Sequence, residues 1–254
     1  MQFLRQIYYL FRRGFRQSVR PYFALLPEYL MPIMFFVINS AGFQRAVDIP
    51  GFTADTYLAF YAPVALFTAI YFSTGSTGIE VAADLTTGYM DRLFVSPIYR
   101  SAILIGKLLA MGVRAASQCL LMLGLVMLFG APFAVGWAGL PILLLLALIF
   151  GMGWAGLGLC ISLFTKNPRV VQSGFVFFMP FTLITTAQLP LELLTGWYKT
   201  VVLINPITYI LEGFRSLMLR GFEWDVLIMA FTIAILFSFV TLSLSAVAFR
   251  RLSR

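Results

Sequence analysis

The sequence predicts an all-α integral membrane protein with six transmembrane helices. Three observations carry that reading. Hydrophobic residues make up 61% of the 254 residues and charged residues only 11%, well outside the range of soluble globular chains. The mean hydropathy is +0.92. The apolar residues also fall in runs of about 20, the length that crosses a bilayer core, and charged residues stand in short intervals between the runs. Residues 1–254 therefore read as a single transmembrane domain with no water-soluble domain of useful size.

Residues 1–21 hold Arg5, Arg12, Arg13, Arg16 and Arg20 with no acid, interleaved with Phe3, Ile7, Leu10, Phe11 and Phe15. This predicts an amphipathic interfacial helix, its arginines at lipid headgroups and its aromatics toward acyl chains, rather than a cleaved signal peptide. Spans are predicted at 22–42, 56–78, 103–129, 142–164, 170–188 and 226–249. Pro27 and Pro32 predict a kink or a broken start in the first. The run STGSTG marks the end of the second. Lys107 and Arg114 occupy the first turns of the third, which is expected to begin in water or headgroups and enter the bilayer near Ala115. A glycine- and proline-rich turn, Gly130 to Pro141, leads to the fourth, where Gly151, Gly153, Gly156 and Gly158 let helices approach closely.

Two charged intervals lie between the spans: 80–96 must lie outside the bilayer, and 190–223 is too charged for a span and too apolar for a solvated loop. In 80–96, Leu85, Tyr89, Leu93 and Phe94 share one face at helical spacing while Asp84, Asp91 and Arg92 point elsewhere, and Ser96-Pro97 stops the helix. Such a surface helix either packs on the chain's own spans or presents a face to another protein. In 190–223, Glu192, Lys199, Glu212, Arg215 and Arg220 stand in an apolar background, and Asn205-Pro206 breaks it. This predicts a pair of short helices dipping into the membrane from one side, with Glu212 and Arg215 close enough to pair on one helix face.

Six spans put both chain ends on one side. Of the 18 Lys and Arg residues, all except Arg45, Lys199, Arg215 and Arg220 fall on that side, which is 18 − 4 = 14 against 4. By the positive-inside rule both termini, the 80–96 helix and the loop at Lys166 are cytoplasmic, and 190–223 is external.

Several functions are excluded or disfavoured. The chain has no histidine, so a zinc site or histidine-based triad is ruled out, and its two cysteines, Cys119 and Cys160, sit in apolar runs as small packing residues. No Walker A sequence occurs, Gly106-Lys107 lacking the upstream glycine and the hydroxyl residue, so this chain does not bind ATP in the P-loop manner. The basic residues are scattered over short intervals, which suits lipid headgroups and not nucleic acid. An intramembrane enzyme would need convergent acids or a serine with a base, and the spans offer isolated Asn39, Gln118, Gln172 and Gln188. An ion-coupled secondary transporter is the alternative, resting on Glu28, which could line a cavity beside Pro27.

The stretch TTGYMDRLFVSPIYRSAILIGKLL, with Gly88, Leu93, Pro97, Gly106 and Lys107, and the later NPITYILEGFR resemble motifs of one family over nearly the whole chain. It is the membrane subunit of type-2 ATP-binding-cassette exporters, the daunorubicin-resistance and polysaccharide-export permeases. The resemblance implies a separate ATPase dimer that carries ATP and Mg, no cofactor on this chain, a second copy of the chain, and a bacterial or archaeal cytoplasmic membrane. It makes 80–96 a coupling helix that meets the ATPase through Asp84, Gly88, Tyr89, Asp91, Arg92, Leu93 and Pro97. Asp91, Arg92 and Gly88 are expected on the partner's side; Leu93 and Phe94 are expected to hold the helix to its own domain. It makes Asn205, Pro206, Glu212 and Arg215 an external motif. The first, second and fifth spans are implied to line a path at the dimer seam, with Phe35, Phe36, Phe60, Tyr61, Phe67, Phe175, Phe177 and Phe178 as candidate lining for a drug, lipid or lipid-linked glycan.

Overall fold

A computed structural model describes residues 2–19 and 22–252, and among these every regular element is helical. The order is α1 (Gln2–Val19), α2 (Tyr22–Gly42), α3 (Tyr57–Gly75), α4 (Thr77–Thr86), α5 (Tyr89–Val95), α6 (Arg100–Leu128), α7 (Gly136–Thr165), α8 (Pro168–Leu183), α9 (Gly196–Ile204), α10 (Pro206–Arg215) and α11 (Trp224–Leu252). A π turn, Ser216–Arg220, continues α10. Helix α2 is assigned continuously through Pro27 and Pro32, where a kink or broken start was expected.

Helix α3 is the centre of the bundle. Its sequence is apolar on every side, which suits a helix surrounded by others, and 16 of its residues are buried. Thr56 caps it, accepting from the Ala59 amide at 3.2 Å. Phe60, Leu66, Phe67 and Ile70 are fully covered, and the Phe67 ring stacks on Phe150 of α7 at 5.0 Å. The run STGSTG holds the break between α3 and α4 at Ser76, and its glycines are close-packed. A Cβ at Gly78 would lie 2.5 Å from the Gly158 carbonyl oxygen of α7, so glycine is what admits the contact.

Among the described residues four helices are long and apolar enough to cross a membrane: α3 with α4 (Tyr57–Thr86), α6, α7 and α11. The pair α9–α10, bent by 83°, makes a fifth if it counts as one span. The other two expected spans fall outside that set. Helix α8 has 16 residues, about 24 Å of rise against a core of about 30 Å, and the chain from Ile184 to Pro190 is irregular, not helical to Gln188 as expected.

The two ends of the bundle differ in their packing. At one end a small cluster of Val81, Met90, Ile103, Leu108, Leu159, Leu163, Ala248 and Phe249, with Leu10 packed against it, gathers both chain ends around α4, α5 and α6. Helix α1 lies against α6: a Cβ at Gly106 would sit 2.8 Å from the Leu10 Cβ and 3.2 Å from the Phe11 backbone nitrogen. At the other end the α6–α7 turn bonds to the π turn, the Ala134 amide donating to the Met218 carbonyl at 2.9 Å.

Candidate functional site

The corner joining α4, α5 and α6 follows from one backbone position. Gly88 has φ +69°, the left-handed region that glycine enters without steric cost, and it ends α4 and starts α5 in a new direction. The expected single helix over 80–96 is therefore two helices, with 80–86 belonging to the long α3–α4 unit. After α5, Ser96 is extended, its hydroxyl donating to the Leu93 carbonyl at 2.7 Å. Gln6 of α1 grips the link that follows. Its Nε2 donates to the Pro97 carbonyl at 3.2 Å and its Oε1 accepts from the Tyr99 amide at 3.0 Å.

The corner sorts the predicted coupling residues. Tyr89 turns inward, its ring 3.4 Å from the Arg13 guanidinium carbon, a cation–π contact across to α1. Burial raises its phenol above the ordinary value, Arg13 opposes and Asp84 adds to the rise, so the ring stays neutral at physiological pH. Leu93 packs on the small cluster with Met90. Arg92 and Pro97 are exposed. The side chains of Asp91 and Phe94 lie outside the described residues. Asp84 needs correction: it does not point outward toward a partner but is buried, accepting from Lys107 Nζ at 2.9 Å and from Gln17 Nε2 at 3.3 Å.

Asp84 and Lys107 belong to a larger set. One turn earlier on α4, Glu80 accepts from Arg114 Nη1 at 3.0 Å, and Arg114 Nη2 donates to Glu28 on α2. Glu80 and Asp84 are four apart on α4, while Lys107 and Arg114 are seven apart on α6, so each pair lines one face of its helix. Lys107 and Arg114 thus lie against α4 and α2. Glu28 faces this guanidinium rather than an open cavity.

At the opposite end the structure brings all four external-motif residues together. Pro206 occupies the first turn of α10 and Asn205 caps it, accepting from the Ile207 amide at 3.0 Å. The Asn205 amide also donates to the Phe181 and Ile184 carbonyls, each at 2.6 Å, holding the end of α8. Arg215 is buried, paired with Glu212, and donates to the Thr186 hydroxyl at 3.0 Å and carbonyl at 2.7 Å. Its guanidinium carbon lies 4.2 Å from the Phe60 ring centroid. Glu212 also accepts from Arg220 at 3.2 Å.

The aromatic set divides. Phe36, Phe60 and Phe67 are core residues of the protomer, which corrects their placement on an open path. Phe35, Tyr61, Tyr71 and Phe72 border a narrow groove between α2, α3 and α8 together with Met179 and Leu183. Phe175 meets Tyr71 at 4.4 Å and Phe178 meets Trp154 at 6.1 Å, whereas Phe177 is 67% exposed. Beyond them, between the end of α2 and the start of α3, an open cavity of about 810 Å³ is lined by Arg45, Asp48, Asp55 and Phe129 among others.

A model of the ABC-2 type transporter family matches residues 5–219. The chain belongs to the ABC-2 type transporter family. This permease is 26% identical over 211 residues to the probable doxorubicin resistance ABC transporter permease protein DrrC of Mycobacterium tuberculosis, covering 80% of this chain and 72% of the relative. It is 27% identical over 224 residues to the putative transport permease ycf38 of Cyanophora paradoxa, covering 85% and 74%. It is 26% identical over 207 residues to the daunorubicin resistance ABC transporter permease protein DrrB1 of Streptomyces coeruleorubidus, covering 80% and 71%. As a member of that family the chain is a multi-pass membrane subunit and not itself the catalytic one.

Three parts of the permease's corner were absent from the sequence reading. Val95 is 87% exposed and Tyr99 56%, so with Arg92 they form the outward side of the corner that the inward Asp84 and Tyr89 do not. Arg92 and Val95 are three apart on α5, opposite Leu93 and Met90, a spacing legible in principle once α5 is taken as a separate helix. Gln6 leaves no such signal, because its partners are 91 and 93 residues away.

Proposed function

We propose that the chain is the membrane half of an ATP-driven exporter: two copies stand on a dimer of ATP-binding-cassette ATPases, and the α4–α5–α6 corner of each copy seats in one ATPase. The observation that carries this is the corner itself. Gln6 and Arg13 hold it from α1 and the small apolar cluster holds it from beneath, yet Val95, a large apolar residue, is left 87% exposed at its tip. A helix of 7 residues so firmly held from one side and open on the other suits a rigid part that a partner grips.

Both termini and the corner are on the cytoplasmic side in this reading, following the basic residues gathered there. The cargo is a hydrophobic or amphipathic compound. Relatives named for doxorubicin and daunorubicin resistance favour a drug of that kind over a lipid or lipid-linked glycan. It would pass along the seam between copies, where the exposed apolar side chains of α2 and α8, Leu30, Met34, Phe177 and Phe181, supply the surface.

The test is at the tip. Val95→Cys, in a chain lacking Cys119 and Cys160, crosslinks to the co-expressed ATPase in membranes, and Val95→Asp lowers ATPase co-purification at normal permease abundance. The loss expected is about tenfold in affinity, the size of a modest interface contact at about 1.4 kcal/mol. Full ATPase binding and export by Val95→Asp, with no crosslink at Val95→Cys, would remove the corner as the docking site.

A further inference from the structure

One guanidinium bridges two helices. Arg114 of α6 gives Nη1 to Glu80 on α4 and Nη2 to Glu28 on α2, and its side chain is 7% exposed. Other helix pairs of the bundle meet through small residues: Gly78 lies on Gly158, and Gly153 lies against Ser238. Buried charge adds little net stability compared with apolar packing and is costly at membrane depth. Its advantage is direction. A forked guanidinium fixes the register of both partners, which a lysine, a single point charge, does not do, whereas apolar helix faces can slide past one another.

We infer that Arg114 is a positioning residue that ties α2 to α4, so that a displacement of the α5 corner reaches the first span. The inference rests on the exporter reading, in which the ATPase moves that corner. Glu80 is two turns from Gly88 along the chain, and between them Asp84, held by Lys107 and Gln17, joins α1 and α6 to the same body. Helices α4 and α6, the start of the corner, and α2 then move as one unit, Arg114 adding a directed tie to the packing of α2 on α3.

Glu28→Gln tests this with the least damage, because Arg114 keeps its bond to Glu80. The complex with its co-purifying ATPase is reconstituted in liposomes, and doxorubicin uptake into inverted vesicles is measured beside ATP hydrolysis. Transport per ATP should fall about fivefold or more, the smallest effect expected of a real coupling between sites, while ATPase co-purification and hydrolysis stay within about twofold. Arg114→Lys should act in the same direction. A structural role alone would lower transport and hydrolysis together and leave their ratio unchanged; that result, or a wild-type ratio in both variants, overturns the inference and leaves the exporter reading intact. Failure of the wild-type chain to bind any ATPase or move doxorubicin would instead sink the exporter reading.

Discussion

Each end of this permease holds a buried arginine against carboxylates, and the two arginines are wired differently. Arg215 pairs with Glu212 three residues before it on α10 and reaches back 29 residues to Thr186 beyond the end of α8, all packed beside Phe60. Arg114 takes its partners from two separate helices, 86 and 34 residues away. The Arg215 cluster therefore locks α10 to the end of α8, and the Arg114 cluster ties α6 to both α2 and α4. The same chemistry serves rigidity at one end and linkage at the other.

The largest effect is expected where the lock is broken. Arg215→Ala leaves the half-buried Glu212 with only the more exposed Arg220 and takes from Thr186 its donor, a loss of about 3 kcal/mol, the low end for a broken buried pair. Folded permease recovered from membranes should drop sharply, while export per folded molecule stays near wild type. Normal abundance with poor export would assign Arg215 a role in release, and the contrast between the two ends would fail.

A smaller effect is expected at the turn between α4 and α5. Gly88→Val places a β-branched residue at φ +69°, which costs about 1–2 kcal/mol. Thermal unfolding in detergent should shift down and ATPase co-purification should weaken, whereas Gly88→Asn, a residue that tolerates this conformation, should change both much less. Equal damage from both substitutions would mean that contact with a partner, not backbone strain, demands glycine.

The same glycine explains what the sequence could and could not disclose. The all-helical class and the positions of α1, α6, α7 and α11 follow from apolar runs and basic ends. The face assignment in 80–96 held for Leu85 and Leu93, which pack on the small cluster, and failed for Asp84, because it carried one helical phase through residue 88. A left-handed residue resets that phase, so Asp84 on α4 and Arg92 on α5 need not share a side, and Asp84 proves to face Lys107. Phe36, Phe60 and Phe67 were misplaced for another reason. A span that is apolar all round has no polar face to mark lipid, path or core, and only the positions of the neighbouring helices decide. The grips of Asn205 on α8 and Gln6 on the α5–α6 link join residues far apart in sequence, and polar residues of that kind look the same whether they bind water, lipid or a distant carbonyl.

The smallest expected effect is also the most local. Gln6→Ala removes one bond to the Pro97 carbonyl and one from the Tyr99 amide, leaving the apolar contacts of α1 on α6 untouched. Each such bond contributes about 1 kcal/mol net, too little to alter abundance. The Tyr99 amide is different, because Gln6 Oε1 is the acceptor that protects it. Hydrogen exchange at Tyr99 should speed up about fivefold, the equivalent of that 1 kcal/mol. The Ile207 amide, held by Asn205 at the other end, should be unaffected. If α1 merely rests on the membrane surface, exchange at Tyr99 will not change. If it is the brace that keeps the corner rigid enough to be pushed, the faster exchange will be accompanied by weaker Val95→Cys crosslinking to the ATPase at unchanged permease abundance.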